Sequence, residues 1–76
     1  MYDRLDLQQN EYTVIDTTNN TCVILCVRGK VTVKQDDNVL AVLSEFESYT
    51  LPIQTNKYIV IAEEDSIIYV FRVFVY

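Results

Sequence analysis

The chain has 76 residues, with eleven acidic side chains against six basic ones, a net charge of −5 and no histidine or tryptophan. Half of the residues are hydrophobic, yet a domain this short buries only about 60% of its unfolded surface, so one thin core has more apolar side chains than it can hold. The acidic balance excludes nucleic-acid binding by phosphate neutralisation, which needs clustered Lys and Arg, and a single glycine and single proline exclude a linker or low-complexity segment.

In chain order, residues 1–10 (MYDRLDLQQN) come first. They are polar and charged, lack the apolar run of a secretory leader, and read as an N-terminal arm or short helical turn. Residues 11–76 then form one domain. Val, Ile, Thr, Tyr and Phe dominate it, and no segment carries an apolar stripe of period 3.6. Strands are predicted at 11–17, 21–28, 30–35, 38–43, 47–51, 57–63 and 66–75. The breaks TTNN, RGK, QDDN, SE, IQTN and EEDS supply Asn, Asp, Ser and Gly, which bond nearby backbone or accept a positive φ. About seven short antiparallel strands at this spacing predict an all-β, single-domain barrel or jelly roll.

Within 21–28, Cys22, Ile24 and Cys26 share one face, and Val23, Leu25 and Val27 share the other. Two cysteines four apart on a strand stand about 13 Å apart at roughly 3.3 Å per residue, too far for a disulfide, whose Cα atoms lie within about 7 Å. With no histidine and no third cysteine there is no zinc-ligand set. Both read as buried thiols of a reducing compartment, which places the chain in the cytoplasm. In 30–35, Val31 and Val33 alternate with Thr32 and Lys34, so one face is wet. The segment 57–63 sets Tyr58, Val60 and Ala62 against Ile59 and Ile61. The last sets Ile67, Tyr69, Phe71 and Val73 against Ile68, Val70, Arg72 and Phe74.

Antiparallel strands with one solvated face alternate cleanly; the segments 21–28, 57–63 and 66–75 do not. One small core covers one of their faces, and self-association is the expected cover for the other. The prediction is a homodimer or higher homo-oligomer centred on 66–76, with Tyr69, Phe71, Arg72, Phe74 and Tyr76 as contacts, since Arg and Tyr are enriched in interface hot spots. The same stretch, SIIYVFRVFVY, is shorter than the roughly 20 residues of a membrane-spanning helix and is interrupted by Arg72. No membrane partner is expected.

Residues 22–71 resemble the cupin family of small jelly-roll barrels. A glycine turn at Gly29 leads into the hairpin KVTVKQDDNVLAVL, a strand ends at Pro52, and a further strand returns through EEDS. The resemblance implies a half-cupin-like barrel. It also implies lost metal chemistry. With Gly29 as the closing glycine of the first motif, the metal-binding glutamate is replaced by Cys22. The two histidines before it fall in DTTN, which offers Asp16, Thr17, Thr18 or Asn19. In the second motif the histidine position is Lys57, and two glycine positions hold Phe46 and Gln54. What remains is a metal-free, cofactor-free binding or dimerising module.

No other chemistry replaces it. Without histidine, acid–base work falls to carboxylates or a perturbed lysine, and Glu45, Glu47, Glu63, Glu64 and Asp65 read as solvated turn residues. Cys22 and Cys26 lack an activating base, and no Gly-rich loop cradles a phosphate. No catalytic residue is assigned and the chain reads as a non-enzyme. Two functions compete. The first is an oligomeric barrel acting as a protein-interaction or inhibitor module on a host protein, in the manner of small accessory proteins of phages and mobile elements. The second is a binding barrel or sponge for an anionic small molecule such as a signalling nucleotide, held by Lys57, Arg28, Tyr49 and Tyr58. The cupin register sets Lys57 inside the barrel beside Cys22; a register shifted by one sets it at the rim in solvent.

Overall fold

Period-two alternation organises the whole chain. In the computed structural model, which describes residues 2–73, eight strands follow one another: β1 (Tyr2–Leu7), β2 (Tyr12–Ile15), β3 (Thr21–Arg28), β4 (Val31–Gln35), β5 (Asn38–Leu43), β6 (Ser48–Leu51), β7 (Tyr58–Ala62) and β8 (Ser66–Val73). They pair antiparallel into two four-stranded sheets, β1-β8-β3-β6 and β2-β7-β4-β5, which makes the fold all-β. The strands at 21–28 and 38–43 have the expected bounds. The one expected at 11–17 stops at Ile15 because the Asp16 carboxylate turns the chain, accepting the Thr18 N–H at 2.9 Å.

The eighth strand corrects the reading of residues 1–10 as an arm or helical turn. All six residues of β1 pair with β8, from Tyr2 opposite Phe71 to Leu7 opposite Ser66. Leu5 and Leu7 pack against the core, while Arg4 and Asp6, alternating with them, face outward. Two leucines at period two are enough to seat a strand once β8 offers a free edge.

The core lies between the sheets and is filled by the inward residues of β3 (Cys22, Ile24, Cys26), β4 (Val31, Val33), β7 (Tyr58, Val60, Ala62) and β8 (Ile68, Val70). Side chains close the barrel interior. Both cysteines are free and buried, and burial pushes both thiols above their ordinary range.

Antiparallel connection sends the turns alternately to two ends. At one end, Gly29 takes φ +84°, where an L side chain is strained. The buried Ser66 hydroxyl there accepts the Lys30 N–H at 3.0 Å and donates to the Glu64 carbonyl at 2.7 Å. Phe46 lies at the same end with φ 67° and is 74% exposed. It occupies a position at which the cupin resemblance expects glycine, and the left-handed backbone is why. At the other end Thr17 clamps the loop after β6, donating to the Pro52 carbonyl at 3.0 Å and accepting the Gln54 N–H at 3.2 Å.

Candidate interaction surface

Side chains alternate across a strand, so each sheet has an inner and an outer face. Strand register sets the rows of the outer face of β1-β8-β3-β6. One row reads Tyr2, Phe71, Val23, Thr50, and the next Arg4, Tyr69, Leu25, Ser48. Tyr2, Tyr69 and Phe71 converge, with ring centroids 5.5, 5.7 and 6.3 Å apart, inside the range in which aromatic pairs attract. Tyr2 is 60% exposed, Val73 44% and Phe71 36%. Among the described residues the outward charges of β1 on this face are Arg4 and Asp6, paired with each other at 3.0 Å. An aromatic and aliphatic patch with balanced charge at its rim is the composition of an interface core.

The outer face of β2-β7-β4-β5 is also partly apolar, with Tyr12, Val14, Val39 and Val42 exposed. Polar groups interrupt it. Lys34 stands in the row between Ile59 and Val39, and the Thr32 hydroxyl donates to the Glu63 carboxylate.

Of the five residues expected at an interface, Tyr69 and Phe71 lie in the aromatic patch. Arg72 does not. It projects from the opposite face of β8, where its Nη1 donates to Cys22 Sγ at 3.6 Å and its Nε stands 4.0 Å from Asp3 Oδ2. Period two forbids Arg72 and Phe71 from sharing a face, and hot-spot composition alone cannot overrule it. Phe74 and Tyr76 lie outside the described residues. Tyr2, Val23 and Leu25 belong to the patch and were not singled out. Val23 and Leu25 were visible as the second apolar face of 21–28, and Tyr2 needed β1 to be read as a strand.

The four residues expected to hold an anion do not form one site. Arg28 ends β3 and is exposed beside Gly29, Glu45, Glu64 and Asp65. Lys57 is exposed in the loop before β7, at the opposite end of the barrel. Tyr58 is buried, its hydroxyl donating to the Pro52 carbonyl at 3.3 Å, and Tyr49 packs against the core. The cation beside Cys22 is therefore Arg72, and Lys57 takes the solvent-facing alternative. Lys57 and Arg72 help to hold the Asp16 carboxyl below its ordinary value, after the larger effect of two hydrogen bonds from Thr18.

The same geometry tests the cupin metal position. A cation placed against Cys22 would meet a guanidinium 3.6 Å away, and among the described residues no three His, Cys, Asp or Glu side chains converge. The residues present do not fit a metal.

No protein-family model and no curated protein sequence matches the chain. Solved structures do match its shape. A cupin-2 domain protein from Shewanella frigidimarina aligns with a TM-score of 0.74 at 14% identity, over 91% of this chain and 65% of that one. The cupin domain of Cnp3 from Schizosaccharomyces pombe gives 0.78 at 13%, over 97% and 52%. Drosophila melanogaster CENP-C, solved bound to CAL1, gives 0.79 at 11%, over 96% and 64%. The chain thus spans less than two-thirds of the length of each of these neighbours. Strand order, closed core and these superpositions lead to one conclusion: the chain has a cupin-like jelly-roll fold.

Proposed function

We propose that this chain is a non-enzymatic interaction module of a reducing, cytoplasmic compartment, and that it self-associates through the outer face of β1-β8-β3-β6. The observation that carries this reading is the exposed Tyr2–Tyr69–Phe71 cluster on a face of balanced charge. With −5 on each chain, two copies repel through most of their surfaces. A neutral apolar face is where that repulsion is least and burial gains most. A twofold axis through the face would set the aromatic clusters of two copies together, and twofold dimers are the commonest closed assembly. The oligomer then acts on another protein, as an interaction or inhibitor module. CENP-C, a structural neighbour, was solved bound to a protein, CAL1, which supports the reading by analogy of fold.

Light scattering coupled to gel filtration tests the proposal on the wild type, Phe71→Asp and Tyr69→Asp. The wild type is expected as a dimer or larger at micromolar concentration, and Phe71→Asp as a monomer that still unfolds cooperatively, because its ring is partly exposed in the single chain. A wild type that stays monomeric up to about 100 µM, where contacts worth more than roughly 5 kcal/mol would show, overturns the proposal.

A further inference from the structure

β1 and β2 are edge strands of different sheets, and residues of both line one cleft. The cleft has a volume of about 290 Å³ and is walled by Leu5, Val14, Ile15 and Val70, with Asp3, Arg4, Thr13 and Arg72 as its polar lining and Arg4 already paired with Asp6. Arg72 is the unusual member. Its side chain is two-thirds buried, at 34% exposure, and guanidinium has five N–H donors in a fixed fork. Among the described residues its one hydrogen bond goes to the Cys22 sulfur, a weak acceptor. Asp3 Oδ2, at 4.0 Å, lies beyond hydrogen-bond reach. Asp3 and Asp16 act on this one-third-exposed guanidinium through charge without accepting a hydrogen bond from it, so its fork keeps N–H donors free for a planar carboxylate. The apolar wall beside it would take an alkyl chain.

We propose that this cleft binds a small amphipathic carboxylate, its head on Arg72 and its apolar body along Leu5, Val14, Ile15 and Val70. The volume is at the small end of ligand pockets, about 300–1,000 Å³, so the body is short. Inward-facing Arg72 and outward-facing Phe71 serve different faces of β8, and the proposal is independent of the self-association reading. Asp3 opposes an anion in the cleft, and its charge sets a selectivity that can be tested.

The test is an NMR titration of the full chain with octanoate, and with octanamide as its uncharged counterpart. Octanoate is expected to give saturable amide shifts at Leu5, Val14, Ile15 and Val70, and to bind at least about tenfold more tightly than octanamide, the scale of one charge-assisted bidentate contact. Arg72→Gln should bring the two ligands to equal affinity, and Asp3→Asn should tighten octanoate alone. Absence of saturable shifts up to about 10 mM, equal binding of the two ligands by the wild type, or full octanoate affinity in Arg72→Gln overturns the proposal. If Arg72→Gln does not fold, the wild-type comparison of the two ligands and the Asp3→Asn measurement decide it.

Discussion

Gly29→Ala is expected to remove much of the stability of this domain. At φ +84° an alanine Cβ costs roughly 1–2 kcal/mol in the left-handed region. The added Cβ would also stand 2.3 Å from Ser66 Oγ, 2.4 Å from the Asp65 carbonyl oxygen and 2.9 Å from Ser66 Cα. Two of these three atoms are backbone, so the clash cannot be relieved by turning a side chain. The β3–β4 and β7–β8 turns must separate, which breaks the hydrogen bond from the Lys30 N–H to the Ser66 hydroxyl at about 1 kcal/mol. The total is about 2–3 kcal/mol, against roughly 4–11 kcal/mol for a 76-residue domain at about 0.05–0.15 kcal/mol per residue. Urea unfolding followed by circular dichroism, at one fixed protein concentration, measures it. Phe46→Gly is the control of opposite sign. Its φ of 67° is relieved by glycine, and after the larger chain entropy of glycine is subtracted the variant should be equal to the wild type or more stable by up to about 1 kcal/mol. A Gly29→Ala cost below about 1 kcal/mol would show that the two turns are not locked together as described.

Cys22→Ala should destabilise by about 1 kcal/mol, because it empties the place of the sulfur in a fully buried site, and native thiol labelling should be slow for both cysteines; fast labelling would contradict their burial. The pH dependence follows from thiols whose folded pKa lies above the ordinary 9.0. The protonated form is favoured by folding, so this contribution is fully present below pH 9 and is lost as pH rises from there through the folded pKa. Replacing both cysteines with alanine should flatten that alkaline decline, read as urea midpoints between neutral pH and pH 10. Chelator should leave the melting temperature unchanged and elemental analysis should find no stoichiometric metal; one bound zinc, iron or manganese per chain would refute the account of the Cys22–Arg72 contact.

The jelly roll was legible because its causes are local. Short runs of Val, Ile and Leu bounded by turn residues set strands at 21–28 and 38–43, and Gly29 marked a turn whose φ only glycine adopts without strain. The excess of apolar faces was legible too: Val23 and Leu25, like Tyr69 and Phe71, could not all enter one small core. The strand at residues 2–7 was not, because two leucines among four polar residues become a strand only when β8 supplies an edge to pair with. The grouping of functional residues was also beyond reach of a linear reading. Arg28 and Lys57 are both cations beside turns, and only the alternation of turns sends them to opposite ends of the barrel. Arg72 beside Phe71 reads as one hot spot along the chain, whereas the pleat sends one ring to the surface and one guanidinium toward Cys22. Alternation and turn chemistry are properties of neighbouring residues, and the sequence by itself determined those. Which faces meet, which charge stands beside Cys22 and where a cleft opens depend on contacts across many residues of chain, and those only the packing of the two sheets decided.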